Sequence, residues 1–146
     1  MPVSKELCDF YSKKISKPKV IYIPNFIDNV SSKTCNLSSK RLISVGRLDP
    51  IKGFDDLIDL FNLFYQKHPD WNLHIVGDGP EKEILQTKIH KLGLSKKITL
   101  CGTKYSEELE NEYLNSSIYV MTSHSESFGL VLVCLLYTSP SPRDTR

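Results

Sequence analysis

Residues 42–80 have the sequence LISVGRLDPIKGFDDLIDLFNLFYQKHPDWNLHIVGDGP, and the pattern of this segment indicates the class of fold. Two short apolar runs, Leu42–Val45 and Leu73–Val76, each stop at a glycine, which is typical of buried strands. A strand, a helix and a strand in this order predict a right-handed βαβ unit with two parallel strands. The apolar residues that recur between the two runs at helical spacing are Phe54, Leu57, Ile58, Phe61, Phe64 and Tyr65.

The same alternation continues downstream. A second helix is predicted between Pro80 and Gly93, because proline is favoured in the first turn of a helix and glycine just past its end. Apolar runs at Ile98–Cys101 and Ile118–Met121 predict two more strands, with a third helix starting near Ser106 between them. Together these elements predict an α/β fold, a Rossmann-like parallel sheet with helices on both faces. The residues expected to face inward from the second helix are Ile84, Leu85, Ile89 and Leu92.

The charge balance argues against a nucleic-acid partner, and the spacing of cysteines and histidines argues against a metal site. The 146 residues include 19 basic and 17 acidic side chains, and the lysines are scattered, so no nucleic-acid partner is expected. The four cysteines are far apart and the four histidines add no closely spaced pair, so no metal site is expected. Cys101 lies in an apolar run and is predicted to be a small core residue.

We expect a cytoplasmic protein. The first ten residues, MPVSKELCDF, lack the apolar core of a signal peptide. The chain also has no apolar stretch that approaches the ~20 residues of a membrane span. Weak peripheral contact with the inner face of a membrane stays open.

Two cations follow the first predicted strand. Ligands of parallel sheets bind outside the carboxyl ends of the strands, where Gly46 and Arg47 follow the first strand and Lys52 and Gly53 open the next helix. A helix start favours an anion, and arginine and lysine both bind phosphate, so Arg47 and Lys52 are a candidate pyrophosphate clamp. On these residues alone, two solvated surface cations are the favoured interpretation, and the clamp is the alternative.

A second candidate segment, residues 122–129, follows the fourth predicted strand. Its small residues let the backbone approach a ligand, and Glu126 is suited to accept hydrogen bonds from sugar hydroxyls. The segment also fits a helix N-cap formed by Ser125 or Ser127. His124 has no carboxylate at useful spacing and is interpreted as a loop residue that at most lines a pocket.

Residues 77–79, Gly-Asp-Gly, start like a dinucleotide-binding fingerprint but do not complete it. The third glycine of that fingerprint is absent, because position 82 is lysine. We interpret this segment as a tight turn into the second helix.

Taken together, these motifs resemble the C-terminal domain of family 4 glycosyltransferases, which are retaining enzymes of the GT-B fold. The resemblance extends from Val20 to Val133. It departs from the family at Phe26, in place of the glycine in PNGID, and at Ser127, in place of the glycine in SxxEGFGL. The segments that match in order are Ile23–Asp28, Val45–Leu48, Lys52–Gly53, Ile75–Pro80 and Ser123–Leu130, with Gly102 after the third strand.

The resemblance implies the incomplete C-terminal half of a GT-B enzyme and a set of roles. Arg47 and Lys52 would hold the diphosphate of a nucleotide-sugar donor, Glu126 would face the transferred sugar, and these three would be the catalytic residues. The loop after Gly102 would lie near the base. No cofactor or metal is implied, because cations and helix dipoles neutralise the departing diphosphate. The residues implied at the donor site are Gly46, Arg47, Lys52, Gly102, Glu126, Phe128, Gly129 and Leu130.

The same resemblance suggests a division of the chain. Residues 1–40 would be the remnant of an interdomain helix, strand and linker, and residues 41–133 a partial nucleotide-sugar-binding domain. Residues 134–146 are expected to be a non-native tail, because Cys134 stands where the family has a second glutamate. A glycan or lipid-linked acceptor would bind to an N-terminal domain missing here, so the fragment alone is expected to be inactive. A non-catalytic nucleotide-binding or regulatory module is the alternative.

Overall fold

The computed structural model describes residues 13, 14 and 35–125, and within them four strands form one parallel sheet. The strands are β1 (Arg41–Val45), β2 (Asn72–Val76), β3 (Ile98–Gly102) and β4 (Ile118–Tyr119). Their order across the sheet is β3-β2-β1-β4, and every pairing is parallel. The helices between them are α1 (Phe54–Lys67), α2 (Lys82–Lys91) and α3 (Ser106–Leu114), and a short 3₁₀ helix spans Pro50–Lys52.

Helices cover both faces of this sheet. On one face, Leu42, Leu73 and Ile75 pack in one buried cluster with the inner sides of α1 and α2. On the other face, Ile43 and Val76 pack against α3. Alternate strand residues point to opposite faces, which is why neighbouring residues of β1 belong to different clusters. The predicted α/β, Rossmann-like arrangement is confirmed.

Helix α1 follows from a simple pattern. Its buried residues, Phe54, Leu57, Ile58 and Phe61, recur at helical spacing and form one apolar stripe against the sheet. Gly53 precedes the helix with a left-handed φ of 63°, and His68, which follows it, comes just before Pro69, a residue that disfavours further helix. Lys88 of α2 donates a hydrogen bond to Asp59 of α1 at 2.8 Å and thereby links the two helices on their shared face.

The predicted inner face of α2 was too wide. Leu85 and Ile89 are fully buried, but Ile84 is 62% exposed and Leu92 is 37% exposed. Residue 84 is rotated by about 100° from residue 85, so only the stripe at four-residue spacing reaches the core. Leu92 lies past the last helical residue, and Gly93 then turns the chain with a left-handed φ of 71°. The predicted end of this helix at Gly93 is confirmed.

Two other expectations need correction. Strand β4 is shorter than the predicted Ile118–Met121, because only Ile118 and Tyr119 pair with β1 before the chain leaves the sheet. Cys101 is only half-buried, rather than a full core residue. Of the predicted interdomain remnant, residues 1–40, only residues 13, 14 and 35–40 are described, with residues 13 and 14 helical, and the tail at 134–146 lies outside the described residues. Among the helices that are described, none is long and apolar enough to cross a membrane.

Valine substitutions on α2 test which of its apolar side chains belong to the core. Ile89→Val should lower the free energy of unfolding by about 0.5–1.5 kcal/mol, because it removes a buried methylene and leaves a small cavity. Ile84→Val is the matched control and should change it by less than about 0.5 kcal/mol, as expected for an exposed position. Denaturant unfolding of both variants measures the difference, and equal losses would contradict this packing.

Candidate functional site

The carboxyl ends of the four strands define one edge of the sheet. Gly46 and Arg47 follow β1, residues 77–79 follow β2, residues 103–104 follow β3, and residues 120–125 follow β4. The chain proceeds from β1 through β2 to β3 in one direction and then places β4 on the other side of β1. The direction of winding therefore changes between β1 and β4. Such a switch point opens a crevice at the carboxyl edge and is where ligands bind in open α/β sheets.

Hydrogen bonds join the two loops that border this switch point. The Thr122 hydroxyl donates to the carbonyl of Gly53 at 2.8 Å and also lies 3.2 Å from the carbonyl of Lys52. The backbone N–H of His124 donates to the carbonyl of Ile51 at 2.8 Å. A β-carbon on Gly53 would lie only 2.3 Å from the Thr122 carbonyl oxygen, so the close approach of the two loops requires glycine. The turn that carries Lys52 is thereby fixed to the loop after β4.

Lys52 and Arg47 lie on the same loop at this edge, as the sequence analysis expected. The aliphatic stem of Lys52 passes over Gly46, since a β-carbon on that glycine would lie 3.6 Å from the lysine Cδ. The side chain of Arg47 is 73% exposed, and its Nε lies 3.8 Å from Asp49 Oδ2. Both cations are thus attached to a fixed backbone, and the guanidinium of Arg47 remains accessible to an anion.

Residues 77–79 do more than make a turn. The N–H of Leu48 donates to the carbonyl of Asp78 at 3.0 Å, and the N–H of Glu81 donates to the carbonyl of Leu48 at 3.1 Å. A β-carbon on Gly77 would lie 1.8 Å from the Gly46 carbonyl oxygen. The interpretation as a simple turn therefore missed the main role of these glycines, which is to let the backbones after β1 and β2 pack directly on each other.

Asp78 supplies a negative charge that is already compensated. Its carboxylate accepts hydrogen bonds from Lys82 Nζ and from the N–H of Gly79, both at 2.8 Å. These donors, Lys82 first, hold the pKa of the Asp78 carboxyl below its usual value. Asp78 is consequently ionised at neutral pH, and its charge is directed toward Lys82.

A cleft of about 280 Å³ lies between the ends of β1, β2 and β3. It contains two of the predicted donor-site residues, Gly46 and Arg47, together with the loop that follows Gly102. A larger depression, of about 730 Å³, runs along α2, but its described lining is helix surface from Lys82 to His90, away from the strand ends. The smaller cleft is therefore the better candidate site; it shares Gly46 and Arg47 with the loop that carries Lys52, and Lys52 is not among its described lining residues. Its described lining residues are Val45, Gly46, Arg47, Val76, Gly77, Asp78, Thr103 and Lys104.

Three further residues of this edge make contacts that the sequence did not predict. His124 was expected to lack a carboxylate partner, yet its Nε2 lies 3.4 Å from Asp56 Oδ2, on the first turn of α1. Thr122, the first residue of the candidate segment 122–129, joins the two loops, and Lys104, in the loop after Gly102, lines the cleft. All three residues follow the carboxyl end of a predicted parallel strand, and this position was the feature of the sequence that indicated a place at the site. The predicted site residues Glu126, Phe128, Gly129 and Leu130 lie outside the described residues.

Comparison with known proteins gives consistent relatives. The family described as "Glycosyl transferases group 1" matches residues 27–133. An uncharacterized glycosyltransferase from Haemophilus influenzae is 34% identical over 102 residues, which are 70% of this chain and 28% of that protein.

Solved structures that contain UDP share the fold. TarM from S. aureus, in a complex that contains UDP, superposes with a TM-score of 0.73 at 20% identity, over 93% of this chain and 27% of that one. HepE from Anabaena, in complex with UDP and glucose, gives a TM-score of 0.58 at 27% identity, over 68% of this chain and 28% of that one.

These comparisons agree on the class of protein. The chain spans roughly a quarter of the length of each relative, 27–28%. The Rossmann-like sheet has GT-B glycosyltransferases as its structural neighbours. The family match covers well over half of the sequence. The chain is therefore a member of the glycosyl transferases group 1 family.

Proposed function

We propose that this chain forms the donor-binding part of a glycosyltransferase that transfers a hexosyl group from a nucleotide-diphosphate sugar to a glycan or lipid-linked acceptor. The proposal includes family 4 membership and retention of anomeric configuration. The observation that carries it is the junction at the β1–β4 switch point, where the Lys52–Gly53 turn is hydrogen-bonded to the loop after β4. HepE, a relative of the same fold, was solved with UDP and glucose.

In this proposal, Lys52 and Arg47 bind the diphosphate of the donor. When the bond between the anomeric carbon and the diphosphate oxygen breaks, the electron pair stays on that oxygen and its negative charge grows. Two cations on a fixed backbone stabilise this charge more strongly in the transition state than in the bound donor, which is the condition for catalysis. The role needs no metal ion, because the protein itself supplies the positive charge.

The remaining contacts follow from position along the same edge. The residues after Gly102, which include Thr103 and Lys104, would lie near the base, and Glu126 would face the transferred sugar. The backbone of residues 128–130 would lie beside the sugar and the phosphate.

The partners and location are part of the same proposal. An N-terminal domain of the longer protein would bind the acceptor, since this chain spans only about a quarter of its relatives. Synthesis of a polysaccharide or glycolipid from a cytoplasmic donor pool, with peripheral contact to the inner face of the membrane, fits that partner.

A ligand series tests the donor-site proposal on the 146-residue chain. UDP, GDP and ADP, together with the corresponding monophosphates, are titrated by calorimetry. At least one diphosphate should bind ten or more times tighter than its monophosphate, because only the diphosphate reaches both cations. Lys52→Ala should abolish this preference, while Lys96→Ala, an exposed lysine that precedes β3 at the opposite edge, should retain it. Equal affinity for mono- and diphosphates would reject the clamp.

A further inference from the structure

A second group of chemically active side chains lies outside the donor site. His74 of β2, Cys101 of β3 and Glu112 of α3 meet between the sheet and α3. His74 Nδ1 lies 3.0 Å from Glu112 Oε2 and 3.5 Å from Cys101 Sγ. All three potential ligand atoms lie within 4.8 Å of one another, and all three side chains are half-buried. No role in donor binding accounts for this cluster.

The three atoms match the ligand preferences of zinc. Imidazole nitrogen, thiolate sulfur and carboxylate oxygen are its usual protein ligands. With zinc–ligand bonds of about 2.0–2.3 Å in tetrahedral geometry, neighbouring ligand atoms are separated by about 3.4–3.6 Å. The observed separations from His74 Nδ1, 3.0 and 3.5 Å, are within a few tenths of an ångström of those values. Two of the three separations are thus close to those of a tetrahedral zinc site, and the third, between Cys101 and Glu112, is at most 4.8 Å.

The charges around the cluster determine the protonation state of Cys101 when no metal ion is bound. Burial, and then the nearby Glu112 carboxylate, raises the pKa of the Cys101 thiol to about 11, so the free thiol is protonated and is no nucleophile at neutral pH. Arg41 Nη1 lies 3.8 Å from Glu112 Oε2 and offsets part of the carboxylate charge. A bound divalent cation would balance one thiolate and one carboxylate, with Arg41 beside the ligand set.

We propose that His74, Cys101 and Glu112 form a three-ligand site for a borderline-soft divalent cation, with Zn²⁺ as the ion that this set of ligands fits. Water completes the coordination. Cys101 directly precedes Gly102 and the loop that lines the donor cleft, so the ion would tie α3 to the end of β3 beneath that cleft. Its role is structural and lies outside the transfer reaction.

Cobalt spectroscopy tests this site directly. The 146-residue chain with Cys8→Ser, Cys35→Ser and Cys134→Ser keeps Cys101 as its only thiol. After treatment with a chelator it is titrated with Co²⁺, and then with Zn²⁺ in competition. We expect a thiolate-to-cobalt charge-transfer band that saturates at one equivalent and is displaced by Zn²⁺. Adding Glu112→Gln should weaken Zn²⁺ at least tenfold with an unchanged circular dichroism spectrum. A folded chain that gives no charge-transfer band would overturn the proposal.

A second measurement covers the case in which the substituted chain fails to fold. In the unmodified chain, alkylation of each cysteine is followed by mass spectrometry with and without Zn²⁺. Zinc should slow the modification of Cys101 at least tenfold and leave Cys35, the other described cysteine, unchanged. Equal protection of both cysteines, or of neither, would contradict a site at Cys101.

Discussion

A full-length enzyme that carries Lys52→Ala should lose about 30- to 1,000-fold in kcat/KM, and Arg47→Ala should cause a loss in the same range. Both figures correspond to about 2–4 kcal/mol of transition-state stabilisation, the size expected when one preorganised charge is removed from a developing anion. Lys52 belongs to the turn that Thr122 and His124 hold at the switch point, so the backbone that carries its charge is positioned before the donor arrives.

Steady-state kinetics with the nucleotide-sugar donor decide this prediction. Lys96→Ala is the control, because Lys96 is an exposed lysine at the amino end of β3, and it should leave kcat/KM within about twofold, as for an exposed position without contacts. In the double variant, Arg47→Ala and Lys52→Ala should be less than additive, since both act on one diphosphate. Unchanged kcat/KM in both single variants would remove the clamp from the account.

Gly77→Ala should destabilise the fold severely. The new β-carbon would lie 1.8 Å from the Gly46 carbonyl oxygen, and the φ of 146° at this residue is one that alanine rarely adopts. The backbone strain alone costs about 1–3 kcal/mol, and the overlap must also push apart the loops after β1 and β2. A total loss above about 3 kcal/mol is expected, which is a large part of the 5–15 kcal/mol of a typical domain.

Gly93→Ala separates strain from overlap. Gly93 also has a left-handed φ, 71°, but no atom of the described residues lies within 4 Å of a β-carbon placed there. Its substitution should therefore cost only about 1 kcal/mol. Denaturant midpoints of the two variants give the comparison. If both substitutions lower the free energy of unfolding equally, the close contact between the two loops is not the reason that residue 77 is glycine.

The local sequence was sufficient for the elements and their faces, with limits that have physical causes. Apolar runs that stop at glycine located β1, β2 and β3, because a buried parallel strand leaves few polar positions. The same reasoning extended β4 by two residues, because Val120 and Met121 are apolar although the strand ends at Tyr119. After that residue the N–H of Val120 still donates to the carbonyl of Ile43 in β1, at 2.8 Å. Ile84 was assigned to the core because it is apolar. Hydrophobicity alone does not show how much of the surface of α2 packs against the rest of the protein.

The site was predictable where position along the chain determines position in space. Gly46, Arg47 and Lys52 follow a strand directly, so a parallel sheet places them at its carboxyl edge. Two contacts depend on β4 lying beside β1: the hydrogen bond from Thr122 to Gly53 and the contact of His124 with Asp56. Local sequence patterns do not predict the order of strands in a sheet. The cluster around His74 depends in addition on the register of β2 with β3 and on α3 crossing above them.

The central claim is that a nucleoside diphosphate binds at the carboxyl edge of the sheet, next to the β1–β4 switch point. Backbone amide chemical shifts of the 146-residue chain, recorded as the tightest-binding diphosphate is added, test it residue by residue. The account predicts that the largest changes occur at Gly46, Arg47, Lys52 and Gly53, with smaller ones at Thr103. Largest changes along the outer face of α2, or saturation by a diphosphate that leaves those amides unmoved, would contradict it.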